Sequence, residues 1–205
     1  RDNFFYVGMP QNHKIKFKKR KIHFNNKKIN VFICGGSQGA ESLNKKIMLL
    51  LNNFPKKLLN KIYLSIQCSK RTENEIKNFV KNLSIEYELK NFYNNFIEKL
   101  VQTDVLISRA GAGTVHEVII TQTPTIFVPL PTAANNHQYY NADYLKKKNA
   151  AILIEQDKLN TNNSYNKVLE LISNRKKQEN LTKKLQEFKN FDTNKLIFDN
   201  LYEKK

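Results

Sequence analysis

The chain reads as an α/β domain with a doubly wound, Rossmann-like parallel sheet. Three observations carry that reading. Short apolar runs alternate with longer amphipathic stretches along most of the 205 residues, the order expected of βαβ units. The runs Val31-Phe32-Ile33-Cys34, Val105-Leu106-Ile107 and Ile126-Phe127-Val128 are continuously apolar, as strands covered on both faces must be. Each of the three then passes through small or polar residues into helix-like sequence: Gly35 to Ala40, Arg109 to Thr114, and Pro129 to Gln138.

Residues 1–28 form a lead-in, with a short strand at 4–7, a Gly8-Met9-Pro10 turn and a basic connector. Residues 29–205 form the main domain and its C-terminal helices. Within it, 29–34 is a buried strand. A helix over 38–53 places Leu43, Ile47, Leu50 and Leu51 on one face. Strand 61–68 precedes helix 71–82, which carries Ile76, Phe79 and Val80. Strand 85–89 runs into Asn91-Phe92-Tyr93-Asn94-Asn95, and a short helix covers 96–103. Strand 105–108, helix 113–121, strand 124–129, helix 137–148 and strand 150–154 complete the alternation. The tail is helical over 164–202, with stripes at Leu169 and Ile172, at Leu181, Leu185 and Phe188, and at Leu196, Ile197 and Leu201.

A chain of this length buries on the order of 70% of its unfolded surface and needs no disulfide or metal staple. Cys34 and Cys68 sit in apolar runs without metal or redox spacing, and read as reduced core thiols of a cytosolic protein. No apolar run approaches the ~20 residues of a membrane span, and no signal-peptide pattern opens the sequence. Arg1 and the run Asn3 to Val7 read as the interior of something longer, so an upstream part is expected. Lys and Arg number 35 against 18 Asp and Glu, a formal net charge of +17. Coding bias explains most of it, since the lysines are spread along the chain. Attraction to anionic lipid is a second reading, worth ~1 kcal/mol per basic residue near a charged surface. Nucleic acid is a third, but no nucleic-acid motif accompanies the charge. The dense cluster Lys14 to Lys21 also fits an edge strand with a solvated face.

A parallel sheet places the carboxyl ends of its strands on one rim, where ligands bind. Helix N-termini aimed at that rim carry unpaired N–H groups and partial positive charge. The three junctions therefore point to an anion site, best matched by a nucleotide diphosphate. Gly35-Gly36-Ser37-Gln38-Gly39-Ala40 lets the backbone approach a ligand; the plainer reading is a βα turn with Ser37 as N-cap. It is neither a GxGxxG fingerprint nor a P-loop. In Ser108-Arg109-Ala110-Gly111-Ala112-Gly113-Thr114-Val115-His116-Glu117, the Thr114-x-x-Glu117 spacing alone makes a capping box. Alternatively, the Glu117 carboxylate accepts both hydroxyls of a ribose. His116 reads as a helix-face residue. In Pro129-Leu130-Pro131 followed by Asn135-Asn136-His137-Gln138, an asparagine N-cap is one reading, and sugar-hydroxyl recognition by His137 and Gln138 the other. No Asp-x-Asp occurs, so helix N-termini and Arg or Lys, rather than a metal, would stabilise a departing diphosphate.

These three segments, with Asn141-Ala142, resemble the donor half of the bacterial peptidoglycan N-acetylglucosaminyltransferases, the MurG family. The similarity runs from about Val7 to the C-terminus. It implies one half of a GT-B glycosyltransferase fold, in which 29–205 is the UDP-sugar donor domain and 1–28 the connector from an acceptor-binding half. It implies metal-independent, cofactor-free transfer of GlcNAc from UDP-GlcNAc, with inversion, onto the lipid-linked acceptor lipid I to give lipid II. The substrate-binding residues implied are Gly36, Ser37, Gln38, Gly39, Arg109, Gly111, Ala112, Gly113 and Thr114 around the diphosphate. Tyr93 would meet uracil through its backbone, Glu117 the ribose, and His137 and Gln138 the sugar. No catalytic residue is implied in this half, the base belonging to the other. The setting implied is cytoplasmic, peripheral on the anionic inner face of the cell membrane, with no nucleic-acid partner. The family's Gly-Asn-Pro-x-Arg appears as Gly8-Met9-Pro10-Gln11-Asn12, so its nucleotide-contacting arginine is replaced by Asn12. Two alternatives remain: a stand-alone donor module working with a membrane subunit, and a UDP-GlcNAc epimerase-like protein.

Overall fold

Strand direction organises the molecule. A computed structural model describes residues 28–35 and 41–188. In chain order these form β1 (Ile29–Cys34), α1 (Glu41–Leu51), α2 (Lys56–Leu59), β2 (Ile62–Gln67), α3 (Lys70–Asn82), β3 (Glu86–Lys90), α4 (Phe96–Gln102), β4 (Val105–Ser108), α5 (Ala112–Thr121), β5 (Thr125–Phe127), α6 (His137–Lys147), β6 (Ile152–Leu153), α7 (Asn162–Ser173) and α8 (Arg175–Gln186). Single 3-10 turns at Ala134–Asn136 and Gln156–Lys158 follow β5 and β6. The six strands make one sheet in the order β3-β2-β1-β4-β5-β6, parallel at every pairing. Val31 of β1 is in register with Leu64 of β2 on one side and Val105 of β4 on the other. The chain winds outward from β1 through β2 and β3, then returns to β4 and winds the other way. The doubly wound sheet read from the sequence is therefore present, with its switch point between β1 and β4.

Period-two alternation divides the strands between two cores. Val31, Ile33, Leu64, Ile66, Val105 and Ile107 face one side, where Leu43, Ile47, Leu50 and Leu51 of α1 pack with Ile76 and Val80 of α3. Phe32, Cys34, Leu106 and Phe127 face the other, against Leu100 of α4, Val118 of α5 and Leu145 of α6. Both cysteines are free and buried, and burial pushes both thiols up. At the amino ends of the strands Asp104 ties the sheet to α8. It accepts the Asn30 N–H at 2.9 Å and Nη1 of Arg175 at 3.1 Å.

Two elements differ from the sequence reading. The four-residue α2 follows Pro55 and is too short for a periodicity window. The single tail helix is broken at Asn174 (φ −110°, ψ 101°), whose side chain accepts the Lys177 N–H at 3.2 Å. An asparagine amide competes well for a helix N–H, so it ends α7 and caps α8. The strand expected at 4–7, the turn at 8–10, Asn12, the basic cluster at 14–21 and the stripe at Leu196, Ile197 and Leu201 lie outside the described residues.

The break makes a quantitative expectation. Asn174→Ala should cost about 1 kcal/mol of stability, read as a lowered urea midpoint. An unchanged midpoint would show that packing of Leu171 and Leu185, rather than the cap, sets the break.

Candidate functional site

The carboxyl ends of β1, β4 and β5 open into one cleft of about 1150 Å³ at the switch point. Its walls are Gly35, Glu41, Ser42 and Lys45 after β1, Arg71 of α3, Arg109, Gly111, Gly113, Thr114 and Glu117 after β4, and Leu130, Thr132 to Ala134, His137 and Gln138 after β5. The starts of α1, α5 and α6 thus meet at a single rim.

The β4–α5 junction carries an uncapped helix start. The N-cap residue is Gly111 (φ −61°, ψ 147°), and among the described residues no side chain caps the first-turn N–H groups. Helix α5 begins at Ala112, which places Thr114 third and Glu117 sixth in the helix. The capping box permitted by their spacing does not form. A Cβ built at Gly111 or Gly113 meets nothing within 4 Å, and neither glycine is demanded by protein packing. The open space beside them belongs to the cleft. Among the described residues no donor reaches the half-buried Glu117 carboxylate, and desolvation pushes its pKa up.

The β5–α6 junction is stiffened by Pro129 and Pro131 and then turns through two left-handed residues, Asn135 (φ 50°) and Asn136 (φ 53°). Asparagine tolerates that conformation better than most residues. Asn136 holds the N-cap position of α6 but makes no side-chain cap bond. The N-cap reading of this asparagine therefore holds for its position but not for a side-chain cap bond. By contrast, α7 and α8, away from the cleft, are capped by Thr161 and Asn174.

Gln138 and Asn141 staple the two junctions together. Gln138 Oε1 accepts the N–H of Ala110 at 3.3 Å and of Leu130 at 3.0 Å, and Asn141 Nδ2 donates to the Ala110 carbonyl at 3.1 Å. The two N–H donors fix which way the Gln138 amide faces, leaving its Nε2 donor for the cleft. His137 Nδ1 lies 2.8 Å from the Ala134 carbonyl. A carbonyl only accepts, so Nδ1 holds the proton and Nε2 of the neutral ring is an acceptor.

Arg109 lines the cleft from beneath. Its Nη1 donates to the carbonyls of Val128 and Pro129, and its Nη2 to Ser42 Oγ and Gln156 Oε1. Desolvation lowers its pKa to about 10; the guanidinium stays charged at neutral pH. At the outer rim Arg71 donates to Glu41, which also accepts from Ser69. The Arg71 hydrogen bond, then that of Ser69, holds the Glu41 carboxyl below its ordinary range.

The family is also visible by comparison. Residues 30–196 match the model of the glycosyltransferase family 28 C-terminal domain. The chain belongs to glycosyltransferase family 28. Among curated relatives, a Rickettsia bellii protein named UDP-N-acetylglucosamine–N-acetylmuramyl-(pentapeptide) pyrophosphoryl-undecaprenol N-acetylglucosamine transferase is 40% identical over 156 residues, covering 76% of this chain and 44% of that protein. A Wolbachia protein of the same name is 31% identical over 165 residues, 80% of this chain and 48% of the relative. The chain spans less than half the length of these relatives. Its backbone matches the crystal structure of Acinetobacter baumannii MurG with TM-score 0.78 at 24% identity, over 96% of this chain and 58% of that one. The fold is that of one half of a GT-B glycosyltransferase.

Within this family 28 domain the residues named from sequence fall into three groups. Arg109, Gly111, Gly113, Thr114, Glu117, His137 and Gln138 line the one cleft, and Ala112 sits between two of them at the first position of α5. Tyr93 is not in its wall. Its ring is 8% exposed and meets Phe32 edge-on at 4.8 Å, in a segment that leaves the carboxyl end of β3. Gly36, Ser37, Gln38 and Gly39 lie outside the described residues. Sequence reasoning missed Ser42, Lys45, Arg71 and Gln156. Polar Glu41, Ser42 and Lys45 at helical spacing beside a glycine loop were a usable signal. Arg71 and Gln156 arrive by tertiary folding, 30 residues from Glu41 and 47 from Arg109.

Two expectations follow from this geometry. Gly113→Ala should hold or raise the melting temperature, since alanine is the better helix former by up to about 1 kcal/mol. Its methyl enters the cleft, so affinity for a nucleotide sugar should fall; calorimetry beside thermal melts reads both, and unchanged affinity would place the ligand elsewhere. Because the folded pKa of Glu117 is raised, its contribution to stability is full at low pH and lost as pH rises through that value. Glu117→Gln should therefore stabilise the fold at neutral pH. A lowered melting temperature there would mean that the carboxylate has a protein partner.

Proposed function

We propose that this domain binds UDP-GlcNAc in the cleft and, joined to an acceptor-binding half, transfers GlcNAc with inversion onto lipid I to form lipid II. One observation carries the reading: the uncapped start of α5, the unpaired carboxylate of Glu117 and the oriented amide of Gln138 share one cleft. Each matches a different part of a nucleotide sugar. The N–H groups at the start of α5 suit the diphosphate. The Glu117 carboxylate accepts two ribose hydroxyls. Gln138 donates to a sugar oxygen, and His137 Nε2 accepts from a sugar hydroxyl. The base lies toward residues 91–96, where the backbone of Tyr93 pairs with uracil. The resemblance also assigns Ser37 and Gln38, outside the described residues, to the diphosphate.

In the proposed reaction the acceptor hydroxyl attacks the anomeric carbon from the face opposite UDP, and the acceptor-binding half supplies the base that takes its proton. This domain stabilises the negative charge that develops on the departing diphosphate. Fixed amide dipoles do that without reorganising during the step. The geometry parallels inverting glycoside hydrolysis, with the acceptor hydroxyl in place of water. Among the described residues no helix is long and apolar enough to cross a membrane. Peripheral attachment to an anionic inner membrane face through basic surface residues is part of the same proposal.

Titration of the chain with UDP-GlcNAc, UDP-glucose and NAD in EDTA tests the reading. UDP-GlcNAc should bind most tightly, with EDTA making no difference; preference for NAD, or loss of binding in EDTA, would contradict it. Glu117→Ala should weaken UDP-GlcNAc roughly 10- to 100-fold, the loss of hydrogen bonds to a charged group. Affinity should also fall as the pH is lowered through the raised Glu117 pKa, because protonation removes an acceptor. A pH-independent affinity would exclude this carboxylate from the contact.

A further inference from the structure

Arg109 is 5% exposed and none of its four hydrogen-bond acceptors is a carboxylate. Burying a guanidinium on neutral partners alone is unfavourable, so its position calls for a use. Both Nη1 hydrogens go to consecutive carbonyls, Val128 and Pro129, each at 3.1 Å. Both Nη2 hydrogens go to Ser42 at the start of α1 and to Gln156 in the turn after β6. The donors that an arginine would offer a phosphate through these two nitrogens are already engaged.

The acceptors occupy informative places. Pro129 immediately precedes Leu130, and Arg109 itself immediately precedes Ala110. Leu130 and Ala110 are the two residues whose N–H groups hold Gln138 Oε1. The guanidinium therefore holds the peptide unit that carries one anchor of the Gln138 amide, the Leu130 N–H, while its own backbone leads directly into the other, Ala110. We infer that Arg109 is a positioning residue, whose planar fork locks the β5 exit to α1 and to the turn after β6 and so aims Gln138 at the sugar without touching the donor. This rests on the reading of Gln138 as the sugar-contacting residue. A lysine keeps the charge but presents a point of three donors, and cannot span acceptors on both sides of a plane.

The test separates geometry from charge. Affinities for UDP and for UDP-GlcNAc are measured by calorimetry on the parent chain, Arg109→Lys and Gln156→Leu, with folding checked by circular dichroism. Gln156 is outside the cleft wall, and its Oε1 accepts from both Arg109 and Ser42 Oγ, so its variant loosens this clamp without removing a cleft-lining side chain. In Arg109→Lys the affinity for UDP should stay within about twofold. The advantage of UDP-GlcNAc over UDP should shrink on the order of tenfold, the worth of one misplaced hydrogen bond. Gln156→Leu should shift the same ratio in the same direction by less. Equal losses for both ligands in Arg109→Lys would show a direct diphosphate contact and overturn the inference, as would an unchanged ratio. If Arg109→Lys fails to fold, the ratio in Gln156→Leu decides alone. A parent chain that binds UDP-GlcNAc no better than UDP removes the sugar-reading role of Gln138 itself, a failure distinct from that of the clamp.

Discussion

The parallel direction of β1, β4 and β5 is the constraint on which the site depends. Since every strand points the same way, every exit loop reaches the same rim, and the following helices begin there. The reversal of strand order between β1 and β4 carries α1 and α5 to opposite faces and leaves a gap between their starts. The backbone thus supplies aligned N–H groups, with their dipoles, before any side chain is chosen. Side chains are then free to distinguish the parts of a ligand. Glu117 and Gln138 are suited to that work because nothing else in the described protein engages the Glu117 carboxylate or the Gln138 donor.

The two ends of the sheet treat polar groups differently. At the amino ends Asp104 is matched by the Asn30 N–H and Arg175, and the following helix α8 is capped by Asn174. At the carboxyl ends α5 and α6 lack side-chain caps, two consecutive asparagines are left-handed, and a carboxylate is desolvated without a donor. The α5 start, the α6 start and the Glu117 carboxylate all border one cleft. An unengaged carboxylate beside an open helix start is what a binding site shows when groups are held ready for a ligand instead of for one another.

Much of this was legible in the sequence because it is local. Continuous apolar strands such as Val105 to Ile107 and the helical spacing of Leu43, Ile47 and Leu50 specify elements without reference to partners. The three small-residue junctions identified the rim because parallel topology makes strand exits equivalent. Where the sequence left two readings open, a shift of three residues decided: the N-cap of α5 is Gly111, so Thr114 and Glu117 are not a capping box. The break at Asn174 was hidden because the apolar stripe resumes after it. The engagement of Arg109 by Ser42 and Gln156 could not be read, since those contacts span 67 and 47 residues and depend on how the elements close. Tyr93 was placed by resemblance, and its side chain turned out to serve the core beside Phe32.

The central claim is that amides at the start of α5 grip the diphosphate of a uridine nucleotide. Amide chemical shifts of the ¹⁵N-labelled chain, followed as UDP is added, test it directly. The account requires the largest shifts at Gly111 to Thr114. Shifts confined to the exposed Glu41–Arg71 rim or to α7 and α8, with the α5 start unmoved at saturation, would contradict it.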